Sequence, residues 1–310
     1  MTLTQLQTFL AVADAGSVRA AADRLNVTQS AVSAALAALQ RSLQIRLVAP
    51  HGRGVQLTAA GQAYAAYARR ALGLLETARV AALGDPEPGA GPVRLAAVTT
   101  AGEQLAPRLL ASFRAAYPQA HLSLEVGNRD RVTALLENRE VDLVISGRPS
   151  ESGETVTLAV RDNELVCIAP PTEHPPDPDE PEAWLRRQTW LLREEGSGTR
   201  ATTEAFIEQL EANPRTLTVG SNVAIREGVA AGLGVTLISR DAVSRQLHEG
   251  RVAQLDVSHT PLRRKWHLVA PGDSLPATVR RFVEHVVGTG EFELPPSSHR
   301  KGRADTVTSG

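Results

Sequence analysis

Four short stretches carry side chains that could do chemistry. Thr28-Gln29-Ser30-Ala31-Val32-Ser33 places one carboxamide and three hydroxyls within a single helical start. A glutamine can pair both amide groups with an adenine edge, and serines reach base edges or phosphates. Glu194-Glu195-Gly196-Ser197-Gly198-Thr199-Arg200 lies between a strand pattern and a helix pattern. Its glycines let backbone N–H groups converge at a helix N-terminus, and Ser197 and Thr199 add hydroxyl donors, which together suit an anion. Only one residue separates Gly196 from Gly198, so this is not the G-x-S-x-G turn of a serine nucleophile. Thr99-Thr100 follows the apolar run 93–98, and Ser221-Asn222 opens a later helix pattern. In open α/β sheets ligands bind beyond the carboxyl ends of strands, which makes both pairs candidates. The same hydroxyls also serve as plain helix caps, and spacing does not separate the two roles.

Catalytic chemistry finds no such support. The eight histidines are scattered, and neither an H-E-x-x-H nor a C-x-x-C is present. Cys167 falls inside an apolar strand pattern, where a buried inert thiol is expected. No catalytic residue, metal ligand set or cofactor is therefore assigned, and the chain does not read as an enzyme. Trp184, Trp190 and Trp266 read as packing residues.

The elements that position these stretches follow from periodicity. Leu6, Phe9, Leu10 and Ala13 form the one-sided stripe of a first helix, which Gly16 stops. Ser17 caps a second helix through Leu25, and Asn26-Val27-Thr28 is a turn. Thr28 caps a third, with Val32, Leu36, Leu39 and Leu43 inward and Gln29, Ser30, Ser33 and Ala34 outward. Residues 48–57 read as two short strands around a Pro/Gly turn. Thr58 caps a long helix to about Leu83, whose apolar seam is Tyr64, Tyr67, Ala68, Ala71, Leu75, Ala78 and Ala82. A seam of that length suits pairing with another helix. Asp85 to Pro92, with three prolines, cannot continue a helix and reads as a hinge.

From Val93 short apolar runs alternate with amphipathic helices, the pattern of an α/β fold with much parallel sheet. Strands are expected at 93–98, 122–126, 142–146, 165–169, 189–193, 216–219, 235–238 and 266–270. Helices are expected near 103–116, 130–138, 200–212, 222–231, 239–248 and 275–288. Two strand-led halves, 93–147 and 165–238, suggest a bilobed body to which the last strand and helix return. Residues 170–181 form a proline-rich acidic excursion, read as a solvated loop, and 291–310 read as a disordered tail.

Composition bounds the partners. The chain has 310 residues, 42% apolar and 22% charged, too long for one small core and too apolar for wholesale disorder. One cysteine excludes an internal disulfide and a multi-cysteine zinc site. No basic leader and no apolar run of about 18 residues occur, so a soluble cytoplasmic protein with no membrane partner is expected. The near-neutral total of −1 is unevenly spread: eight arginines and three acids leave residues 1–84 at +5 and the remainder at −6. A basic end on an acidic body suits a polyanion at that end, although a small segment can reach such a value by composition alone.

At this point the sequence resembles the LysR-type transcriptional regulators over roughly residues 3–289. The resemblance rests on Leu6-Gln7-Thr8-Phe9-Leu10-Ala11-Val12-Ala13, Gly16-Ser17, Ala21-Ala22-Asp23-Arg24-Leu25, Thr28 to Ser33, Leu39 and Leu57-Thr58-Ala59-Ala60-Gly61. Gly-Ser-Gly-Thr-Arg at 196–200 is typical of members similar to carbon-fixation and sulfur-metabolism regulators. The resemblance implies an all-α winged helix-turn-helix with a linker helix, joined to an α/β bilobed, periplasmic-binding-protein-like effector domain. Its implied division is 1–58 for DNA binding, 59–84 for the linker, 85–92 for the hinge and 93–290 for the effector domain. Within the last, lobe I takes about 93–163 and 268–290, and lobe II about 164–267. The implied partners are double-stranded DNA with an interrupted palindrome, a small polar effector, and further copies of the chain as a homodimer and homotetramer. Ser17, Arg19, Thr28, Gln29, Ser30, Ser33 and the wing residue Arg53 would contact DNA. Thr99, Thr100, Ser197, Thr199 and Asn222 would surround the effector. Leu47-Val48-Ala49-Pro50 stands where the family usually has Leu-Phe and then a basic residue, so a packing aromatic and a phosphate contact are missing there. The alternative is a solute-binding protein whose N-terminal module only dimerises it.

Overall fold

Two left-handed residues, Gly16 (φ 60°) and Asn26 (φ 55°), end the first two helices of the chain. In the computed structural model, residues 1–52, 54–83, 89–148, 155–173, 175, 180–272 and 275–296 are described. Arg53, hinge residues 85–88, His174 and 176–179 of the acidic excursion, and 297–310 of the tail lie outside them. Contacts divide the chain into residues 1–86 with 134–142, and residues 87–133 with 143–310.

The first unit begins with α1 (Leu3–Ala15), α2 (Val18–Leu25) and α3 (Gln29–Leu43). Each start is capped from the sequence as its residue types require. Thr2 and Gln5 make a reciprocal capping box, Ser17 Oγ accepts from Ala20 N, and Thr28 Oγ1 accepts from Ala31 N. Phe9, Val12, Ala21, Val32 and Leu39 form the core, with Phe9 edge-on to Tyr64 at 5.7 Å. Strands β1 (Val48–His51) and β2 (Gly54–Leu57) pair antiparallel, and Val55 N donates to Gly16 O, tying the hairpin to the α1–α2 turn. Val48, which stands where the aromatic would, packs half-buried against this core next to the fully buried Leu47.

Helix α4 (Ala59–Leu83) has 25 residues, a rise of about 37 Å. Its expected single seam is in fact two. Tyr64, Ala65, Ala68 and Leu72 join the core beneath α1, whereas Tyr67 (71% exposed), Ala71, Leu74, Leu75 and Ala78 face solvent.

The second unit contains β3 (Pro92–Val98), α5 (Thr99–Gln104), α6 (Ala106–Ala116), β4 (His121–Gly127), the start of α7 (Arg129–Glu137, counted with the first unit from Ala134), β5 (Leu143–Ser146) and β6 (Thr155–Ala169). It continues through α8 (Pro181–Leu185), β7 (Trp190–Leu192), α9 (Gly198–Gln209), β8 (Thr216–Thr218) and α10 (Asn222–Ala230). It closes with β9 (Thr236–Ser239), α11 (Arg240–His248), β10 (Ala253–Leu255), β11 (Leu262–Pro271) and α12 (Ala277–Gly288). The large sheet runs β10-β6-β11-β5-β3-β4, with β9 also on β6. Among the described residues parallel pairing joins β3 to its two neighbours and β7 to β8, with one further parallel bridge between Trp190 and Val235; the strands around β6 and β11 are antiparallel.

Strands β6 and β11 pass through two cores. Ala159, Trp266, Leu268 and Ala270 pack with Leu95, Phe113, Ile145 and Phe282, so α12 returns to the first lobe. Further along β6, Cys167 and Ala169 face Trp190 and Phe206, while Val166 and Ile168 face Ile225 and Val243. Burial pushes the Cys167 thiol up to about 12, which keeps it protonated and inert.

Several expectations need correction. The strand expected at 165–169 starts at Thr155; Arg161-Asp162-Asn163-Glu164 broke its apolar run because those residues sit where the strand crosses between the cores. β11 likewise begins at Leu262, ahead of Arg263-Arg264-Lys265. α8 and β10 had no apolar signal long enough to read. The helix expected at 103–116 is two helices. Pro107 near the start of α6 offers no N–H, so α5 ends and a new helix begins at Ala106. Residues 291–293 are not a free tail. Phe292 is buried in the first lobe, Glu293 exchanges backbone bonds of 2.7 and 2.8 Å with Val160, and Glu291 is ion-paired to Arg161.

Gly61 exposes a tight dependence in the first unit. A Cβ there would stand 1.9 Å from Leu47 O, with no flexible side chain to yield. Gly61→Ala is expected to cost at least the 1–3 kcal/mol typical of overpacking, roughly, seen as an earlier urea transition of helical circular dichroism; an unchanged midpoint contradicts the close approach.

Candidate functional site

The start of α3 presents its polar side chains to solvent. Gln29, Ser30 and Ser33 are exposed, and the Thr28 and Ser30 hydroxyls lie 2.9 Å apart. Ser17 is occupied as the cap of α2, and Arg19 is exposed on that helix's first turn. Among the described residues Arg19, Arg41 and Arg46 are exposed guanidiniums with no ion pair, whereas Arg24 and Arg69 both pair with Asp14. Arg53 lies outside the described residues. An exposed helix N-terminus with short polar groups, in a unit that also exposes unpaired arginines, is what major-groove insertion requires.

The second unit holds a cavity of about 480 Å³ between its two lobes. Thr99, Thr100, Ser197 and Thr199 all line it, brought together from the ends of β3 and β7. Thr99 and Thr100 are the first turn of α5 itself, not a linker before a helix at Glu103, because Val98 takes the cap position without a side-chain bond. Thr99 Oγ1 donates to Gly127 O, and Ser197 Oγ accepts from Arg200 N as the cap of α9. Gly196, left-handed at φ 78°, turns the chain into that cap. Ser221 is a cap only, accepting from Ala224 N at 3.1 Å. Asn222 is not part of the lining. It is buried under it, where Oδ1 accepts from Arg193 Nη1 at 2.6 Å and Nδ2 donates to Thr100 Oγ1 at 3.0 Å.

What the sequence did not single out is the charge of the lining. Arg129, Arg148, Arg193, Arg264 and Lys265 contribute to the wall, and among the described residues no carboxylate does. Glu194 neutralises Arg193 and Asp162 neutralises Lys265. Arg264 donates to Thr202 Oγ1 at 2.8 Å and meets no acid among the described residues, and burial, then Arg148 and Arg129, holds it below the usual guanidinium range. Its only signal was the Arg263-Arg264-Lys265 run, which reads equally as a solvated strand end. Burying cations unpaired is costly, and an entering anion relieves that cost. Among the described residues no group of three or more histidine, cysteine or acidic side chains is placed to hold a metal ion.

Comparison with known proteins places both regions. The pattern of bacterial regulatory helix-turn-helix proteins of the lysR family matches residues 3–62, and that of the LysR substrate binding domain matches residues 86–290. The chain belongs to the LysR family. It is a transcriptional regulator with a DNA-binding helix-turn-helix and an effector-binding domain, as the names of its relatives bear out against an enzyme reading. The RuBisCO operon transcriptional regulator of Acidithiobacillus ferrooxidans is 35% identical, covering 96% of this chain and 97% of its own. The transcriptional activator CmpR of Synechocystis is 32% identical over 94% of this chain and 96% of its own. Among solved structures, the Synechocystis CcmR regulatory domain in complex with 2-PG is 29% identical, with a TM-score of 0.58, covering 64% of this chain and 97% of that one. Full-length OxyR of Pseudomonas aeruginosa, 23% identical, has a TM-score of 0.66 over 93% of this chain and 95% of that one, a likeness of fold. Resemblance to carbon-fixation regulators is therefore confirmed. No helix among the described residues is long and apolar enough to cross a membrane.

Proposed function

We propose that this LysR-family regulator senses a small polar anion in the interlobe cleft and uses it to change how a symmetric assembly holds its operator. The observation that carries the reading is that Arg129, Arg148 and Arg264 all line the cavity while, among the described residues, no carboxylate does. Thr99, Thr100, Ser197 and Thr199 supply hydroxyl and helix-start donors around the same space, with Asn222 behind them. A relative of the regulatory domain crystallised with 2-PG supports a small ligand in this domain. The division proposed is 1–58, 59–84, 85–92 and 93–290, with the lobes meeting near 163 and 268.

The exposed stripe of α4, Tyr67, Ala71, Leu74, Leu75 and Ala78, supports pairing of two copies, and a homodimer would assemble further to a homotetramer. Each dimer would present two α3 helices to an interrupted palindrome in double-stranded DNA. Gln29 would read a base edge, with Ser17, Arg19, Thr28, Ser30, Ser33 and Arg53 on bases or backbone. A DNA partner makes the cytoplasm its working compartment. Ligand binding would favour one lobe geometry, and the coupling to DNA would be reciprocal.

Gln29→Ala is expected to weaken operator binding about tenfold or more while leaving random-duplex binding unchanged, the span of one lost bidentate contact. Equal losses on both duplexes in a gel-shift titration would remove base reading from this residue. Arg264→Gln is expected to abolish the effector response with operator affinity and its salt slope intact. Retention of that response would place the anion elsewhere.

A further inference from the structure

We infer that Asn222 is a positioning residue of the anion cleft: it touches no ligand, and acts by turning the Thr100 hydroxyl into a donor aimed at the cavity. The inference rests on reading the cleft as an anion site. Asn222 is 1% exposed at the first position of α10, and its carboxamide reaches three partners. Arg193 has donors only, so the amide oxygen must face it, and the Arg193–Oδ1 bond of 2.6 Å fixes the orientation. The amide nitrogen then faces Thr100 Oγ1 at 3.0 Å and Glu103 Oε2 at 3.4 Å. Flipping the amide would set N–H groups against the Arg193 guanidinium and its oxygen against the Glu103 carboxylate, losing both of those bonds and leaving only the Thr100 hydroxyl as a partner, now as donor.

A hydroxyl that accepts from an amide keeps its own proton for another acceptor. Among the described residues no protein group accepts from Thr100 Oγ1, and Thr100 lines the cavity. The proton is thus left for whatever occupies the cleft, and an anion is the occupant that gains most from it. Arg193, held by Glu194 through Nε and Nη2 and by Asn222 through Nη1, is the anchor that keeps the amide from turning. Since Thr100 belongs to α5 in the first lobe and Asn222 and Arg193 to the second, the hydroxyl is correctly turned only when the lobes stand at this separation. Donor orientation and lobe spacing are one event.

The test is a double-mutant cycle on the full-length protein, titrated with inorganic phosphate by calorimetry at fixed ionic strength. Asn222→Ala and Thr100→Val are each expected to weaken phosphate binding about tenfold, the range for a hydrogen bond to a charged group. The double variant is expected to bind within about twofold of Thr100→Val alone, because the amide works through that hydroxyl. A purely structural asparagine would give additive losses, and an additive cycle overturns the inference, as does an Asn222→Ala protein that binds like wild type. Should Asn222→Ala not fold, Asn222→Asp keeps the volume and the Arg193 bond but presents only acceptors to Thr100. Its added charge would weaken binding in both backgrounds alike, so a larger loss with Thr100 than with Thr100→Val supports the inference and equal losses overturn it. A wild-type protein that takes no phosphate overturns the anion reading itself, and this inference with it; phosphate binding with an unaffected Asn222 variant overturns only the latter.

Discussion

The antiparallel pairing of β6 with β11 is the constraint on which the effector domain is built. These two strands serve the core of one lobe at one end and the core of the other at the opposite end. Where they leave one core and have not yet entered the next, their side chains cannot be apolar without facing the gap. Asn163, Arg264 and Lys265 occupy that stretch, and the polar wall of the cavity follows from it. Helices α5 and α9 then point their starts into the same gap from opposite lobes, adding donors to a wall already cationic.

The DNA-binding half was legible because its signals are local. Caps at Ser17 and Thr28, left-handed stops at Gly16 and Asn26, and inward spacing of Val32, Leu36 and Leu39 each act within a turn or two of chain. The effector half was legible only where apolar runs were unbroken. The crossing strands failed to show because polar residues stand midway along them, between the two cores, which is where a periodicity argument expects a strand to stop. Arg264 was hidden for the same reason: a run of three cations looks like a wet surface until pairing brings Thr202 and Gly198 against it. Ser221 and Ser197 show the ambiguity of hydroxyls at helix starts. Both cap their helices, but only Ser197 also borders the cavity.

The two halves of the protein carry their cations in two physically different ways. In the first unit the guanidiniums of Arg19, Arg41 and Arg46 are exposed to solvent, which gives long-range attraction that salt screens and little commitment to a single geometry. Those in the cleft are partly desolvated and held by neighbours, which gives shorter range and a demand for the right shape. A DNA-binding regulator with an effector domain has use for both, since finding a polymer calls for range and recognising a small effector calls for fit.

The threading of the first lobe carries a last consequence. Its core draws on residues from Val93 to Ile145 and then on Val279, Phe282, Val286 and Phe292, with the whole second lobe inserted between. As the ribosome delivers the chain from its amino end, the early portion of that lobe waits, incomplete, while more than a hundred residues of its neighbour are made and can condense on their own. The lobe that begins first is completed last, so a premature stop ahead of Ala277 would leave a finished second lobe tethered to a first one lacking Val279, Phe282, Val286 and Phe292, and exposed to proteases.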